Sequence, residues 1–168
     1  MAIVYLSLGS NLGDRERNLR CALKALDGID MRVLRVSHLY ESTPIGETPE
    51  PVPEYLNCVA EAETSLPPIA LLDYTQAAER ECGRAPTYRW GPRAIDIDIV
   101  WYEGIEMITD RLTIPHMHSQ SRAFVLIPLA ELAPDLKIGN GEMVRELLIQ
   151  DSVRAQSVRR LPDSVLFR

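Results

Sequence analysis

An α+β domain, built as a four-stranded antiparallel sheet with two helices on one face, is predicted for this sequence by three observations. Stretches of strand length and stretches of helical period follow one another in the order β-α-β-β-α-β. Gly and Pro mark the joints between them, at Gly9, Gly13, Gly28, Pro44 and Gly83. The 168 residues, 46% hydrophobic and 25% charged, have the composition of a globular domain that can bury its own core.

Residues 3–8 (Ile-Val-Tyr-Leu-Ser-Leu) read as a buried strand, broken by Gly9-Ser10-Asn11-Leu12-Gly13-Asp14, a tight strand-to-helix turn. Leu19, Ala22, Leu23 and Leu26 recur at helical spacing, so a helix runs from about residue 14 to 27 and Gly28 closes it. Val33 to Tyr40 reads as the second strand. The loop from Ser42 through Pro53 holds Pro44, Pro49, Pro51 and Pro53 and is long enough to carry function. Leu56, Cys58, Ala60 and Ala62 alternate with Asn57, Val59, Glu61 and Glu63, which predicts a half-buried third strand. Ser65 ahead of Leu66-Pro67-Pro68 predicts a capped start to the second helix, which runs to Cys82 and stops at Gly83. Residues 84–93 form a loop rich in Arg and Pro, and Ala94 to Tyr102 is the fourth strand. A hairpin at about 105–114 and helices near 120–132 and 142–150 are appended. Right-handed crossovers on this order give the ferredoxin-like architecture, which hosts many functions and names none. Residues 1–150 are read as a single domain, and 151–168 as a basic tail without an assigned role.

Composition narrows the function classes. A net charge of −6 argues against bulk nucleic-acid binding. No apolar run reaches transmembrane length and the N-terminus lacks a signal-peptide layout, so a cytoplasmic protein without membrane contact is expected. Cys21, Cys58 and Cys82 lack C-x-x-C spacing and are read as free thiols in a reducing compartment. The cations are lopsided, with 16 Arg against two Lys. Four of those arginines, with one acid, fall between Arg80 and Arg93, and guanidinium forks suit phosphate or carboxylate.

The strongest chemical signal is Ile95-Asp96-Ile97-Asp98-Ile99. Strand side chains alternate, so Ile95, Ile97, Ile99 and Trp101 share one side while Asp96 and Asp98 share the other. Two such carboxylates, roughly 6–7 Å apart at Cα, repel without a cation and suit Mg²⁺ together with substrate phosphates. Their other reading is a solvated amphipathic strand. Arg89-Trp90-Gly91-Pro92-Arg93 runs straight into this strand and tethers Arg84, Arg89 and Arg93 near the acids, the division of labour of phosphoryl transfer. Trp90 offers a flat apolar face or simple packing. Gln76 and Glu79, three apart on the second helix, reach a ligand or are solvated. Arg111-Leu112-Thr113-Ile114-Pro115-His116 contributes another Arg, a hydroxyl and a His able to donate to phosphate; His38 and His118 receive no role. Arg122, opening a helix, is a candidate phosphate ligand, and Phe124 reads as core on its own. Tyr55 and Asn57 share one strand face and suit a flat heterocycle, by stacking and complementary hydrogen bonds, or else form a surface pair.

Taken together, these stretches resemble the 6-hydroxymethyl-7,8-dihydropterin pyrophosphokinase family of folate biosynthesis. The matching runs are Gly9–Asp14, Tyr40-Glu41-Ser42-Thr43-Pro44-Ile45-Gly46, Tyr55-Leu56-Asn57, Arg89–Ile99, Arg111–His116 and Arg122-Ala123-Phe124-Val125-Leu126, spread over about residues 3 to 135. The resemblance implies transfer of the β,γ-diphosphate of ATP to the pterin's hydroxymethyl oxygen, with release of AMP. It implies two Mg²⁺ ions on Asp96 and Asp98, and a pterin between Tyr55 and Phe124, read by Asn57 and edged by Ser42, Pro44 and Ile45. It makes Trp90 and Arg93 part of a mobile catalytic loop. It places Gln76, Glu79, Arg84, Arg93, Ile99, Arg111, Thr113, His116 and Arg122 on the nucleotide side. Where many relatives carry a second loop arginine this chain has Pro86, which removes a cation and stiffens the loop. A monomer with ATP and a reduced pterin as its partners is expected. No side chain stands out as a general base. The competing readings are a non-catalytic ferredoxin-like module that binds a nucleotide or small ligand, and a Mg²⁺-dependent nuclease, which lacks the basic track it needs.

Overall fold

The computed structural model describes residues 1–47 and 50–162; Pro49 of the proline loop and residues 163–168 of the tail lie outside them. The predicted core is present: β1 (Ala2–Ser10), α1 (Arg15–Leu26), β2 (Met31–Val36), β3 (Tyr40–Ser42), β4 (Tyr55–Thr64), α2 (Pro68–Glu81) and β5 (Asp96–Tyr102). β4 pairs with β1, and β1 with β5, all antiparallel. β2 and β3 pair with successive halves of the other edge of β4. The order β2-β4-β1-β5 is that of the ferredoxin-like fold.

Local chemistry explains the departures from the expected boundaries. The second strand splits because Ser37 interrupts it: its hydroxyl takes the Val59 N–H at 3.0 Å while its own N–H donates to Val59 O. Asp14 caps α1 by accepting the Arg17 N–H at 3.0 Å. Ser65 does not cap α2. The helix starts at Pro68 with Pro67 as N-cap and no side-chain cap bond, since prolines leave fewer orphan N–H groups to satisfy. Gly83, at φ +90°, ends it as expected.

The pleat sorts the sheet into two faces. Val4, Leu6 and Leu8 of β1, Leu56, Cys58, Ala60 and Ala62 of β4, and Ile97 and Ile99 of β5 pack under α1 and α2. Tyr5, Val59 and Val100 face the opposite layer, made by α3 (Ala123–Leu132), α4 (Val144–Leu147) and α5 (Asp151–Arg154). The appended segments therefore cover the sheet's second face. Trp101 is a correction. Tyr5 pairs with Trp101 but Leu6 pairs with Ile99, so Val100 is an extra residue and the alternation flips after it. Trp101 joins the second layer, its ring 5.8 Å from that of Tyr5, rather than the side of Ile95, Ile97 and Ile99.

Two more findings concern the thiols and the tail. Cys21 of α1 and Cys82 at the end of α2 are joined in a disulfide, Cα atoms 5.8 Å apart, which corrects the expectation of three free thiols. α1 and α2 lie side by side on one face, and 61 residues of separation hide that proximity from the sequence. Cys58 remains free and buried. The expected hairpin is β6 (Met107–Ile108) with β7 (Thr113–Ile114), and β8 (Lys137–Ile138) with β9 (Glu142–Met143) forms a second. Beyond residue 150, β10 (Val158–Arg160) pairs with β3 at the sheet edge. Its Arg159 donates to Glu41 at 2.5 Å, opposite Arg15 at 2.7 Å.

Candidate active site

A cavity of about 740 Å³ wraps the edge strand β5, reaching from the α3 side of the sheet to the C-terminal half of α2. Its floor is where β1, β4 and β5 lie side by side, with Gly9 paired to both Asn57 and Asp96 and Ser7 paired to Asp98. Asp96 and Asp98 precede the bulge and keep the shared side predicted for them; both line the cavity.

The acids meet a chain of alternating charge. Nη1 of Arg84 donates to Glu79 Oε1 and to Asp96 Oδ1, each at 2.6 Å, and Nη1 of Arg93 donates to Asp96 Oδ2 at 3.1 Å. Glu79, only 6% exposed, also accepts the Ile97 N–H at 2.7 Å, so it satisfies an outward-facing donor of the edge strand. Burial raises its pKa, and the bonds from Ile97 and Arg84 oppose the shift. Asp98 makes no close guanidinium contact. Its side chain is 39% exposed, on the cavity wall. Loss of hydration first, and the charge of Asp96 second, push its pKa up to about 7, with Arg122 pulling the other way. His116 is the converse case: burial, then Arg122, lowers it to about 4. It is therefore neutral, its Nδ1 accepts the His118 N–H at 3.2 Å, and the remaining proton sits on Nε2, 4.0 Å from Asp98 Oδ1.

Among the described residues no three His, Cys, Asp or Glu side chains form a metal-ligating group. A carboxylate pair on the cavity wall, one member with its pKa raised by lost hydration and by its acidic neighbour, suits a hard cation that draws its other ligands from phosphate and water. The donor set fits Mg²⁺.

The other end of the cavity is flat and partly apolar. Tyr55, Asn57, Phe124, Ser42, Pro44, Ile45 and Trp90 line it. Asn57 donates its amide N–H groups to Ser42 Oγ at 2.8 Å and Tyr40 O at 3.3 Å, which turns its Oδ1 toward the cleft beside Gly9. A Cβ on Gly9 would lie 3.1 Å from that oxygen and 3.4 Å from the Tyr55 ring, so glycine keeps the slot open. Trp90 stands at φ +65°, a strained conformation for a residue with a side chain, and its ring rests on Gly46, where a Cβ would come within 3.0 Å. The Arg89 guanidinium lies 5.2 Å from the Trp90 ring centroid, and that of Arg122 5.7 Å from Phe124.

Of the residues singled out from sequence, the cavity gathers Arg93, Trp90, Asp96, Asp98, Ser42, Pro44, Ile45, Tyr55, Asn57, Phe124, Gln76, Glu79, Arg84, His116 and Arg122. Four stand apart from its lining, among them Arg89, whose guanidinium lies over the Trp90 ring. Ile99 is buried in the core, Arg111 is paired with Asp73 on the surface, and Thr113 sits on β7. Pro86 lies on the wall. Sequence reasoning gave no site role to Ser7, Gly9 and His118, and counted Arg80 only as part of the arginine cluster; all four line the cavity. The spacing of Ser7 and Gly9 on a strand whose next residues bear carboxylate neighbours shows only once β1 is paired with β5.

Comparison with known proteins agrees with this arrangement. Residues 5–134 match the 7,8-dihydro-6-hydroxymethylpterin-pyrophosphokinase (HPPK) family. The chain is 43% identical over 160 residues to the 2-amino-4-hydroxy-6-hydroxymethyldihydropteridine pyrophosphokinase of Pseudomonas aeruginosa, covering 95% of this chain and 96% of that protein. It is 41% identical over 151 residues to the Haemophilus influenzae protein of the same name, covering 89% and 93%. A crystal structure of HPPK-DHPS in complex with substrates superposes with a TM-score of 0.69 at 15% identity and covers 87% of this chain. This chain spans 42% of that longer one, and the likeness speaks for the fold alone. With matched residues running from β1 through α3 and so through the cavity's whole wall, the chain belongs to the 7,8-dihydro-6-hydroxymethylpterin-pyrophosphokinase family.

Proposed function

We propose that this protein transfers the β,γ-diphosphate of ATP to the hydroxymethyl oxygen of 6-hydroxymethyl-7,8-dihydropterin, a step of folate biosynthesis. The observation that carries the reading is the joining of two chemistries in one cavity: an aromatic and amide slot at one end, and carboxylates interleaved with arginines at the other. The pterin lies between Tyr55 and Phe124 and donates to Asn57 Oδ1, while Ser42, Pro44 and Ile45 line its edge. The nucleotide lies against Gln76, Glu79 and Arg80, its phosphates toward Arg84, Arg93, His116 and Arg122.

The alcohol oxygen attacks the β-phosphorus, the bond from that phosphorus to the α-phosphate's bridging oxygen breaks, AMP departs and the alcohol proton is released. The reaction needs no protein nucleophile, only positioning and charge stabilisation. Arg84 and Arg93, which hold Asp96 in the resting site, turn to phosphate oxygens and leave that carboxylate free. Neutral His116 offers its Nε2–H as a donor that adds no charge. Asp96 and Asp98 would hold two Mg²⁺ ions, which when bound neutralise the triphosphate. Trp90, seated on Gly46, closes the pterin end against water.

Residues 1–150 are the catalytic unit, braced at the sheet edge by β10. The protein works in the cytoplasm as a monomer, without nucleic acid or membrane; none of its described helices is long and apolar enough to cross one. The test is AMP release from ATP by the purified protein, with and without 6-hydroxymethyl-7,8-dihydropterin and Mg²⁺. AMP is expected only when all are present. Release without the pterin, or none with both substrates, would overturn the reading; binding without turnover would point to a non-catalytic module.

A further inference from the structure

We infer that Asn11 is a positioning residue for Arg93, acting by clamping the ends of two active-site loops; the inference rests on the diphosphate-transfer reading. Asn11 is 1% exposed and is not on the cavity wall. Its main-chain N–H donates to Arg93 O at 3.1 Å, and its side-chain Oδ1 accepts the Arg93 N–H at 2.8 Å. Its Nδ2 donates to Pro53 O at 3.1 Å. One side chain thus grips the main chain where the Arg and Trp loop runs into β5 and where the proline loop runs into β4. An asparagine that merely shaped its own turn would bond to neighbours a residue or two away. Here the two partners are 82 and 42 residues distant.

The clamp has a fixed base. Asn18 of α1 donates to Ser10 Oγ at 3.2 Å and to Leu12 O at 2.8 Å, so the turn that presents Asn11 is tied to the helix that follows. Arg93 needs such support. Among the described residues its Nε is buried without a hydrogen-bond partner, and its head is anchored by the 3.1 Å bond to Asp96, which the mechanism breaks. Where the head must change partner, the main chain decides where the guanidinium can reach. A misplacement of about 1 Å at such a group costs on the order of a hundredfold in rate.

The experiment is a double-mutant cycle on kcat, read with radiolabelled ATP so that slow variants are measurable, using Asn11→Ala, Asn11→Asp, Arg93→Ala and the two double variants. Asn11→Ala removes both side-chain bonds; Asn11→Asp keeps the acceptor for the Arg93 N–H and loses the donor to Pro53. Asn11→Ala is expected to lower kcat about 10- to 100-fold, with pterin and ATP dissociation constants moving less than about threefold. Asn11→Asp is expected to recover most of that loss, and neither change should slow the Arg93→Ala enzyme further. Should Asn11→Ala fail to fold, Asn11→Ser, whose shorter side chain cannot reach the Arg93 N–H and Pro53 O together, makes the same comparison. Full additivity in the cycle, or a loss confined to dissociation constants, would overturn the positioning role while wild-type turnover leaves the reaction standing. A wild-type protein that releases no AMP would remove the reading beneath it.

Discussion

Reduction of the Cys21–Cys82 bond should cost this protein a large part of its stability. The bond ties α1 to the end of α2 and closes a loop across 61 residues. Cross-linking over that separation restricts the unfolded chain by about 14 cal/mol/K, or about 4 kcal/mol at 25 °C. In a domain of this size each kcal/mol moves Tm by about 2–4 °C, so reduction should lower Tm by roughly 10 °C. The assay is thermal unfolding by circular dichroism with and without a dithiol reductant, with Cys82→Ser as the permanently open form. Thiol titration in denaturant supplies the count: one thiol in the oxidised protein, from Cys58, and three in the reduced one. Three titratable thiols before reduction would show that the bond does not form. A confirmed bond whose reduction moved Tm by less than about 1 °C would refute the loop-closure reasoning.

Two further outcomes can be checked independently. Bonds from Arg15 and then Arg159 hold the Glu41 carboxyl below its ordinary value of 4.5, so its stabilisation is complete above that pH and fades as pH falls toward the lower, folded value. Glu41→Gln should therefore be less stable than wild type at neutral pH, and the difference should shrink between about pH 5 and pH 3 in chemical denaturation; a pH-independent difference would contradict the assignment. Gly9→Ala sets a methyl 3.1 Å from Asn57 Oδ1, whose amide is already held by Ser42 and Tyr40. Overpacking of about 1–2 kcal/mol should raise the pterin KM about tenfold while ATP affinity stays within about twofold, and an unchanged pterin KM would place the pterin elsewhere.

How far the sequence carries depends on the range of the interaction. The apolar alternation of Leu56, Cys58, Ala60 and Ala62 and the helical spacing of Leu19 through Leu26 are local, and both elements form where they were expected. The carboxylate pair was legible because Asp96 and Asp98 are two apart on a stretch of strand that no bulge interrupts. Trp101 was not, since the extra residue Val100 exists only in the pairing of β5 with β1. The split between β2 and β3 depends on a Ser37 hydroxyl meeting a strand 22 residues on. β10 has no apolar run and is held partly by the ion pair of Arg159 with Glu41, 118 residues apart. Asn11 looked like an ordinary turn residue for the same reason: its partners are set by the tertiary fold. At the site, residue types named the chemistry, while His118, Ser7 and Gly9 needed the cavity's shape to be found.

The most direct measurement of the account is AMP release by Asp98→Ala at saturating ATP, pterin and Mg²⁺, alongside its melting curve and its pterin affinity. Loss of a group that stabilises charge in the reacting phosphates should lower turnover about a thousandfold or more. Tm should stay within a few degrees of wild type and the pterin should still bind, because Asp98 takes no part in the core. Turnover near the wild-type rate in this variant would contradict the assignment of the β5 carboxylates to the reacting diphosphate.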